Sequence, residues 1–141
     1  MEACFGELMR EVFLLLEQGC VPRQVDAAMV AGGFDAGPLS RLDDIGLDLF
    51  QARWMDGPGW SAIPGLVIAM GRLGRKTGAG FYLYTPHITF GLRDPEVEAM
   101  IVAHSATIGV ARHEIGPFEI VERCRRKLAE GASAFPPYGA A

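Results

Sequence analysis

Apolar side chains recur at steps of three and four residues through the first half of the chain, and this spacing limits the fold more than any other feature. Over residues 3 to 18, Phe5, Val12 and Leu16 fall on one side of a helix, with charged residues between them. No segment before residue 80 alternates between apolar and polar side chains as a half-buried strand does. The sequence therefore predicts an all-α core.

Proline, glycine and capping residues predict where the later helices begin and end. Pro22 and Pro38 suit a first helical turn, where a missing N–H costs little, and Asp94-Pro95 joins a capping acceptor to such a proline. The second predicted helix begins at residue 22, and the third runs from residue 38 to about Gly46. The fourth and fifth span residues 47–55 and 63–73. The sixth and seventh begin at residues 95 and 117.

The remaining segments lack a helical pattern. Residues 81–85 could form a strand, residues 85–93 are interpreted as a linker, and residues 132–141 are interpreted as a loose tail because small residues dominate them. Asp43 and Asp44 are interpreted as the solvated end of the third helix.

Composition excludes several classes of protein. The net charge of −4 argues against a nucleic-acid-binding protein, because no surplus of cations is available to neutralise phosphates. No apolar run reaches the ~18 to 20 residues needed to span a bilayer, and the first residues lack the basic segment of a signal peptide. Cys4, Cys20 and Cys124 do not have the spacing of a zinc site. We therefore expect reduced thiols in a cytoplasmic protein that binds neither nucleic acid nor membrane.

A glycine-rich, cationic stretch from Gly71 to Tyr84 separates the helical half from the rest of the chain. It does not fit a phosphate-binding P-loop, because Arg75 stands where the pattern requires glycine before Lys76-Thr77. It does not fit a dinucleotide fingerprint either, since no apolar strand leads into it and no helix follows. A basic turn that closes the helical domain is favoured, and a ligand-contacting loop remains the alternative.

Four motifs occur in order along the first 84 residues: Asp26-Ala-Ala-Met29, Gly33-Phe-Asp-Ala-Gly-Pro-Leu39, Leu42-Asp-Asp-Ile-Gly-Leu-Asp48 and Gly74-Arg-Lys-Thr-Gly-Ala-Gly-Phe-Tyr82. Together they resemble the C-terminal domain of the 3-hydroxyacyl-CoA dehydrogenases, which is similar to that of 6-phosphogluconate dehydrogenase. The resemblance implies an all-α domain over residues 1–84. Residues 94–131 resemble the start of the second repeat in multifunctional β-oxidation proteins.

The resemblance also implies a site. That family oxidises 3-hydroxyacyl-CoA with NAD in fatty-acid β-oxidation, and its helical domain forms one wall of the acyl-CoA cleft and the dimer interface. The residues that it implies for substrate binding are Phe34, Asp35, Ala36, Gly37, Pro38, Arg75 and Lys76. For the two cations, together with Arg72, the favoured alternative is a bond to the terminal carbonyls of the preceding helix.

No catalytic residue or cofactor site is assigned to this chain. In the family, NAD and a catalytic His–Glu pair belong to a separate Rossmann domain. The position of a substrate-proximal asparagine of the family falls at about Glu2, and Asp35 is an acid where the family has an apolar residue. His87, His104 and His113 are interpreted as structural, because a lone histidine seldom serves as a base.

Two classes of function follow. The first is the substrate-cleft and dimerisation domain of a 3-hydroxyacyl-CoA dehydrogenase, acting as a homodimer or with a separate Rossmann-domain chain. The second is a non-catalytic interaction module derived from that family. Intact residues 74–82 favour the first class. Asp35, the absent asparagine at about Glu2 and the cationic run at residues 125–127 favour the second.

Overall fold

The computed structural model describes residues 2–133, and these residues form a helical bundle with one small hairpin. The helices are α1 (Glu2–Gln18), α2 (Pro22–Ala31), α3 (Pro38–Ile45), α4 (Leu47–Trp54), α5 (Ile63–Ala69), α6 (Pro95–Thr107) and α7 (Pro117–Ser133). The hairpin consists of β1 (Leu83–Thr85) and β2 (Ile88–Leu92). The all-α prediction is confirmed, and most of the predicted tail at residues 132–141 lies outside the described residues.

Helix α1 forms the centre of the core. Its side chains Val12, Phe13 and Leu16 are fully buried, because α7, α6 and α2 pack around it. Ile101 of α6 and Ile120 of α7 are part of the same apolar cluster. The helices that follow residue 94 therefore share one core with the first 84 residues, and the division into domains at residue 84 stays a prediction.

An aromatic cluster joins α1 to α4 and to the segment before α5. Phe50 packs edge-on against Phe5, Phe13 and Trp60, with ring centroids 5.8 Å, 6.2 Å and 5.8 Å away, and it stacks on Trp54 at 5.5 Å. Such contacts stabilise a core beyond the burial of area alone. They fix α4 against α1.

The linker predicted for residues 85–93 is wrong over β2. Residues 88–92 pair antiparallel with β1, with Leu83 opposite Leu92 and Thr85 opposite Ile88. β-Branched and aromatic residues favour this pairing, and the Arg23 guanidinium donates to the Gly91 carbonyl at 2.5 Å. The hairpin is therefore attached to α2, whereas a connecting segment would make no such contact.

Helix α5 is shorter than predicted, ending at Ala69 instead of Leu73. The chain leaves the helix because Leu73 bonds elsewhere: its N–H donates to the Thr77 hydroxyl at 2.9 Å, and its carbonyl accepts from Leu47 at 2.8 Å. The other predicted helix starts, at Pro22, Pro38, Leu47, Ile63, Pro95 and Pro117, agree with the structure.

The three cysteines are free, and two of them are buried. Burial raises the pKa of Cys20 to about 11 and that of Cys124 to about 12, so both stay thiols at neutral pH and are poor nucleophiles. Within residues 2–133, no helix is both long and apolar enough to cross a membrane.

Candidate functional site

A buried carboxylate in the middle of α2 shapes the corner that carries the predicted substrate residues. Asp26 accepts the N–H groups of Leu39 and Ser40, each at 2.9 Å, and so caps the first turn of α3. It also accepts the Tyr82 hydroxyl at 2.7 Å. A side chain on Gly37 would collide with the Asp26 carboxyl group. Only a glycine at this corner allows the carboxylate to reach the α3 terminus.

A second buried carboxylate organises the glycine-rich stretch, and the interpretation of Asp43 as solvated is wrong. Asp43 is fully buried and accepts the N–H groups of Phe81 at 3.0 Å and Tyr82 at 3.1 Å, and the Tyr84 hydroxyl at 2.7 Å. The glycine-rich stretch therefore packs over α3 and covers the Asp43 carboxylate. Asp44, by contrast, is exposed as expected.

These contacts decide what the glycine-rich stretch can bind. A phosphate-binding loop offers free backbone N–H groups to its anion, but here the N–H groups of Phe81 and Tyr82 already donate to Asp43. A side chain on Gly80 would collide with that carboxylate. The stretch therefore does not fit the pyrophosphate of NAD, and its glycines serve close packing around an internal anion.

Arg72 connects the glycine-rich stretch to α6. It donates to the Gly80 carbonyl at 3.0 Å and forms a buried ion pair with Asp94. Asp94 also caps α6 by accepting the Glu96 N–H at 3.0 Å, as its position before Pro95 predicts. The Arg72 guanidinium is occupied by these contacts and faces away from solvent.

Arg75 and Lys76 pair with acids, and the favoured expectation that they bond helix carbonyls is wrong. Arg75 contacts Asp44 at 2.9 Å and lies over the Tyr84 ring at 4.4 Å. Lys76 donates a 2.9 Å hydrogen bond to Asp48 Oδ2, and this bond lowers the pKa of Asp48. Both cations lie on the surface beside α3 and α4, apart from the cleft described next.

An open, mainly apolar cleft of about 430 Å³ lies between α1, the α2–α3 corner and the end of α7. It is lined by Cys4, Phe5, Leu8, Met29, Phe34, Asp35, Ala36, Pro38, Arg41, Ile45, Trp54 and Leu128. Four of the predicted substrate residues, Phe34, Asp35, Ala36 and Pro38, thus line one cleft. Gly37 lies behind it, against Asp26, and Arg75 and Lys76 are not part of its lining.

Two opposite charges belong to the cleft lining, and among the described residues neither side chain has a hydrogen bond or ion pair. Asp35 is in the α2–α3 corner, and Arg41 is on α3. Arg41 follows Pro38 by three residues and precedes Ile45 by four, so the three lie along one side of the helix. Sequence reasoning missed Arg41, because one cation in an amphipathic helix resembles any solvated residue.

A polar cluster lies on the opposite side of α1 from its cleft residues. Glu17 accepts from Ser61 at 2.7 Å and contacts His104 Nε2 at 3.0 Å. His104 is buried on α6, so the pair joins α1 to α6, and a structural histidine is what the sequence predicts. None of these residues lines the cleft. In the described part of the chain, no group of three or more His, Cys, Asp or Glu side chains could hold a metal ion.

The fold is that of a helical domain found in a dehydrogenase. A crystal structure of the dehydrogenase part of multifunctional enzyme 1 from C. elegans matches 94% of this chain and 31% of its own, with a TM-score of 0.73 and 24% sequence identity. The family profile of the 3-hydroxyacyl-CoA dehydrogenase C-terminal domain matches residues 1–84. The chain belongs to this family, as its motifs predict.

Relatives with longer chains carry the same region. The peroxisomal bifunctional enzyme of Danio rerio is 30% identical over 140 residues, which cover 86% of this chain and 20% of the relative. That of Homo sapiens is 30% identical over 155 residues, covering 91% and 21%. The chain spans about a fifth of the length of these relatives, and the alignments continue past the family match.

Proposed function

We propose that this chain is the helical substrate-cleft and dimerisation domain of a 3-hydroxyacyl-CoA dehydrogenase. It acts with an NAD-binding domain in the oxidation of 3-hydroxyacyl-CoA during fatty-acid β-oxidation. The observation that carries the proposal is the cleft: in a chain of this family, Phe34, Ala36 and Pro38 form part of one apolar wall. Such a wall is suited to the hydrocarbon part of an acyl group.

The chain's own residues contribute binding and positioning in this proposal. The Asp26 cap fixes the first turn of α3, and this turn places Pro38 in the wall of the cleft. Phe34 is held by the Arg125 guanidinium, which lies 5.3 Å from its ring centroid. NAD supplies the hydride acceptor when it is bound, and the other domain holds it together with the acid–base pair.

Calorimetric titration with acetoacetyl-CoA, and separately with NADH, tests this function. We expect saturable binding of the CoA ester and none of NADH. Phe34→Ala removes one aromatic wall and is expected to weaken the ester, whereas Phe90→Ala, an exposed aromatic 63% accessible on β2, is the matched control. Failure of the wild-type chain to bind the ester would overturn the cleft function and favour an interaction module.

Association is part of the proposal. Several large apolar side chains are exposed in the isolated chain, among them Phe118, which is 80% accessible, and Val30, which is 51% accessible. Exposed apolar surface favours a homodimer or a complex with a Rossmann-domain chain. Sedimentation at micromolar concentration is expected to give more than a monomer, and a stable monomer would count against self-association.

For the location of the protein we retain the cytoplasm as the proposal, on the evidence of its free, buried thiols. The relatives carry the word peroxisomal in their names, so the peroxisome is the competing location. Cell fractionation of the full-length protein with compartment markers separates the two, and co-sedimentation with peroxisomes would overturn the proposal.

A further inference from the structure

Among the described residues, Arg41 of the cleft lining lacks the ion pair that several other cations make. Arg72, Arg75, Lys76, Arg93 and Arg123 each contact a carboxylate within 4 Å. Arg41 is exposed and has no such partner among the described residues. Its planar guanidinium therefore keeps its N–H donors available to a ligand in the cleft.

The apolar lining places limits on that ligand. Leu8, Met29, Phe34, Trp54 and Leu128 surround the cleft with hydrocarbon and aromatic surface, which favours an alkyl chain by about fourfold in affinity for each methylene buried. A ligand that satisfies both features has an apolar chain and an anionic group. A small inorganic anion alone would leave the apolar walls in contact with water.

We infer that the cleft binds apolar chains that carry an anionic group, and that Arg41 binds this group. Asp35 disfavours ligands that place a second anionic group nearby. The inference rests on the proposed function and deepens it, because it assigns anion recognition to Arg41 in place of Arg75 and Lys76. The anion is a phosphate of the CoA moiety or a carboxylate, and both suit the bidentate geometry of a guanidinium.

Asp35 has a predictable influence on the same group. It lines the cleft with Arg41, so its negative charge repels any anion that binds there. The repulsion grows with the number of charges on the ligand. A ligand with one charged group near Arg41 is tolerated, whereas a second anion close to Asp35 is disfavoured.

Calorimetry with three ligands that share a chain length tests the inference: octanoyl-CoA, octanoate and 1-octanol. We expect Arg41→Leu to lower the affinity for an anionic ligand about tenfold or more. Its affinity for octanol should stay within about twofold of wild type. Asp35→Asn is expected to strengthen the same anionic ligand. Arg126→Leu is the matched control, because it removes one exposed arginine from α7 that does not line the cleft.

The pattern of losses identifies the source of the anion. If Arg41→Leu loses affinity for octanoyl-CoA alone, Arg41 binds a CoA phosphate. If it also loses affinity for octanoate, Arg41 binds either kind of anion in the cleft. Binding of both anions to Arg41→Leu with wild-type affinity, or an equal loss in Arg126→Leu, would overturn the inference.

The two proposals fail in different ways. If octanoyl-CoA binds and Arg41→Leu has no effect, the dehydrogenase cleft stands and the role of Arg41 is wrong. If octanoate binds in an Arg41-dependent way but neither CoA ester binds, the dehydrogenase cleft is wrong and the anion site stands. Absence of binding by all three ligands to the wild-type chain overturns both.

Discussion

The Tyr82 hydroxyl donates a 2.7 Å hydrogen bond to Asp26, a residue 56 positions earlier in the chain. Through its backbone N–H, the same tyrosine donates to Asp43 at 3.1 Å. One residue of the glycine-rich stretch therefore contacts both buried carboxylates of the α2–α3 region. Burial further raises the pKa of Tyr82, so its hydroxyl remains a proton donor at every physiological pH.

Tyr82→Phe removes one donor from the buried Asp26 carboxylate and leaves the two backbone donors in place. We expect a loss of about 1–3 kcal/mol in the free energy of unfolding, the usual cost of a buried partner left without its hydrogen bond. Urea unfolding followed by far-UV circular dichroism measures it. Tyr84→Phe breaks the corresponding bond to Asp43 at a half-buried site, so its loss should be the smaller. Equal stability of Tyr82→Phe and wild type would contradict this prediction.

Gly37→Ala places a methyl group against the Asp26 carboxyl group. The carboxylate must move, and α3 loses its cap, which costs about 0.5–2 kcal/mol before any strain is counted. Gly65→Ala is the control, because a methyl group at that helical glycine of α5 meets no atom within 4 Å and alanine favours a helix. Thermal denaturation of both variants should show a lower Tm for Gly37→Ala and an unchanged or higher Tm for Gly65→Ala. The reverse order would exclude the close approach of Asp26.

Asp43 makes stability depend on pH. Loss of water on burial raises the pKa of Asp43 from 3.8 to about 6, although its hydrogen bonds favour the charged form. Between about pH 4 and pH 6 the folded state therefore binds more protons at this site than the unfolded state, and the contribution of Asp43 to the free energy of unfolding falls as pH rises.

Asp43→Asn cannot titrate at this position, so wild type should lose stability relative to the variant as pH rises through that window. Urea unfolding at several pH values between 4 and 7 gives the difference. Asp35→Asn, an exposed carboxylate with no partner in the described part of the chain, corrects for the change in net charge. A difference that stays constant would show that Asp43 keeps an ordinary pKa, and one that moves the opposite way would show that folding lowers its pKa.

The Arg72–Asp94 pair is buried, with 9% and 8% of the two side chains exposed. Asp94→Asn keeps the shape but leaves a buried guanidinium without its counter-charge, which should cost about 3 kcal/mol or more. Glu98→Gln breaks the solvated pair with Arg93, whose side chain is 58% exposed, and should change stability much less. Chemical denaturation of the two variants in one buffer compares them, and equal losses would contradict the burial argument.

The helix starts could be predicted because the chemistry that sets them is local. Pro22, Pro38 and the Asp94-Pro95 pair act within one turn of their own positions, and the structure places helix starts at all of them. The all-α core followed in the same way from the spacing of apolar residues. The family followed from the order of four motifs, each too short to identify it alone.

The buried acids could not be predicted, because their partners are distant in sequence. In the sequence nothing distinguishes Asp43 from its exposed neighbour Asp44. Only the fold brings the backbone of Phe81 and Tyr82 over Asp43. The β2 strand needed β1 as a partner, and the pairing of Arg75 and Lys76 with Asp44 and Asp48 needed the stretch to fold back on α3. The loop residues of the cleft were named in advance through the resemblance, but Arg41 was not.

The contact between Tyr82 and Asp26 makes the substitutions tolerated at one of these positions depend on the residue at the other. Asp26 fits only if residue 37 lacks a side chain, and the Tyr82 hydroxyl donates one of the hydrogen bonds that its carboxylate accepts. A lineage that replaces any one of Asp26, Gly37 and Tyr82 would gain stability from changing the other two. Among homologues of this chain, substitutions at these three positions are therefore expected to be correlated.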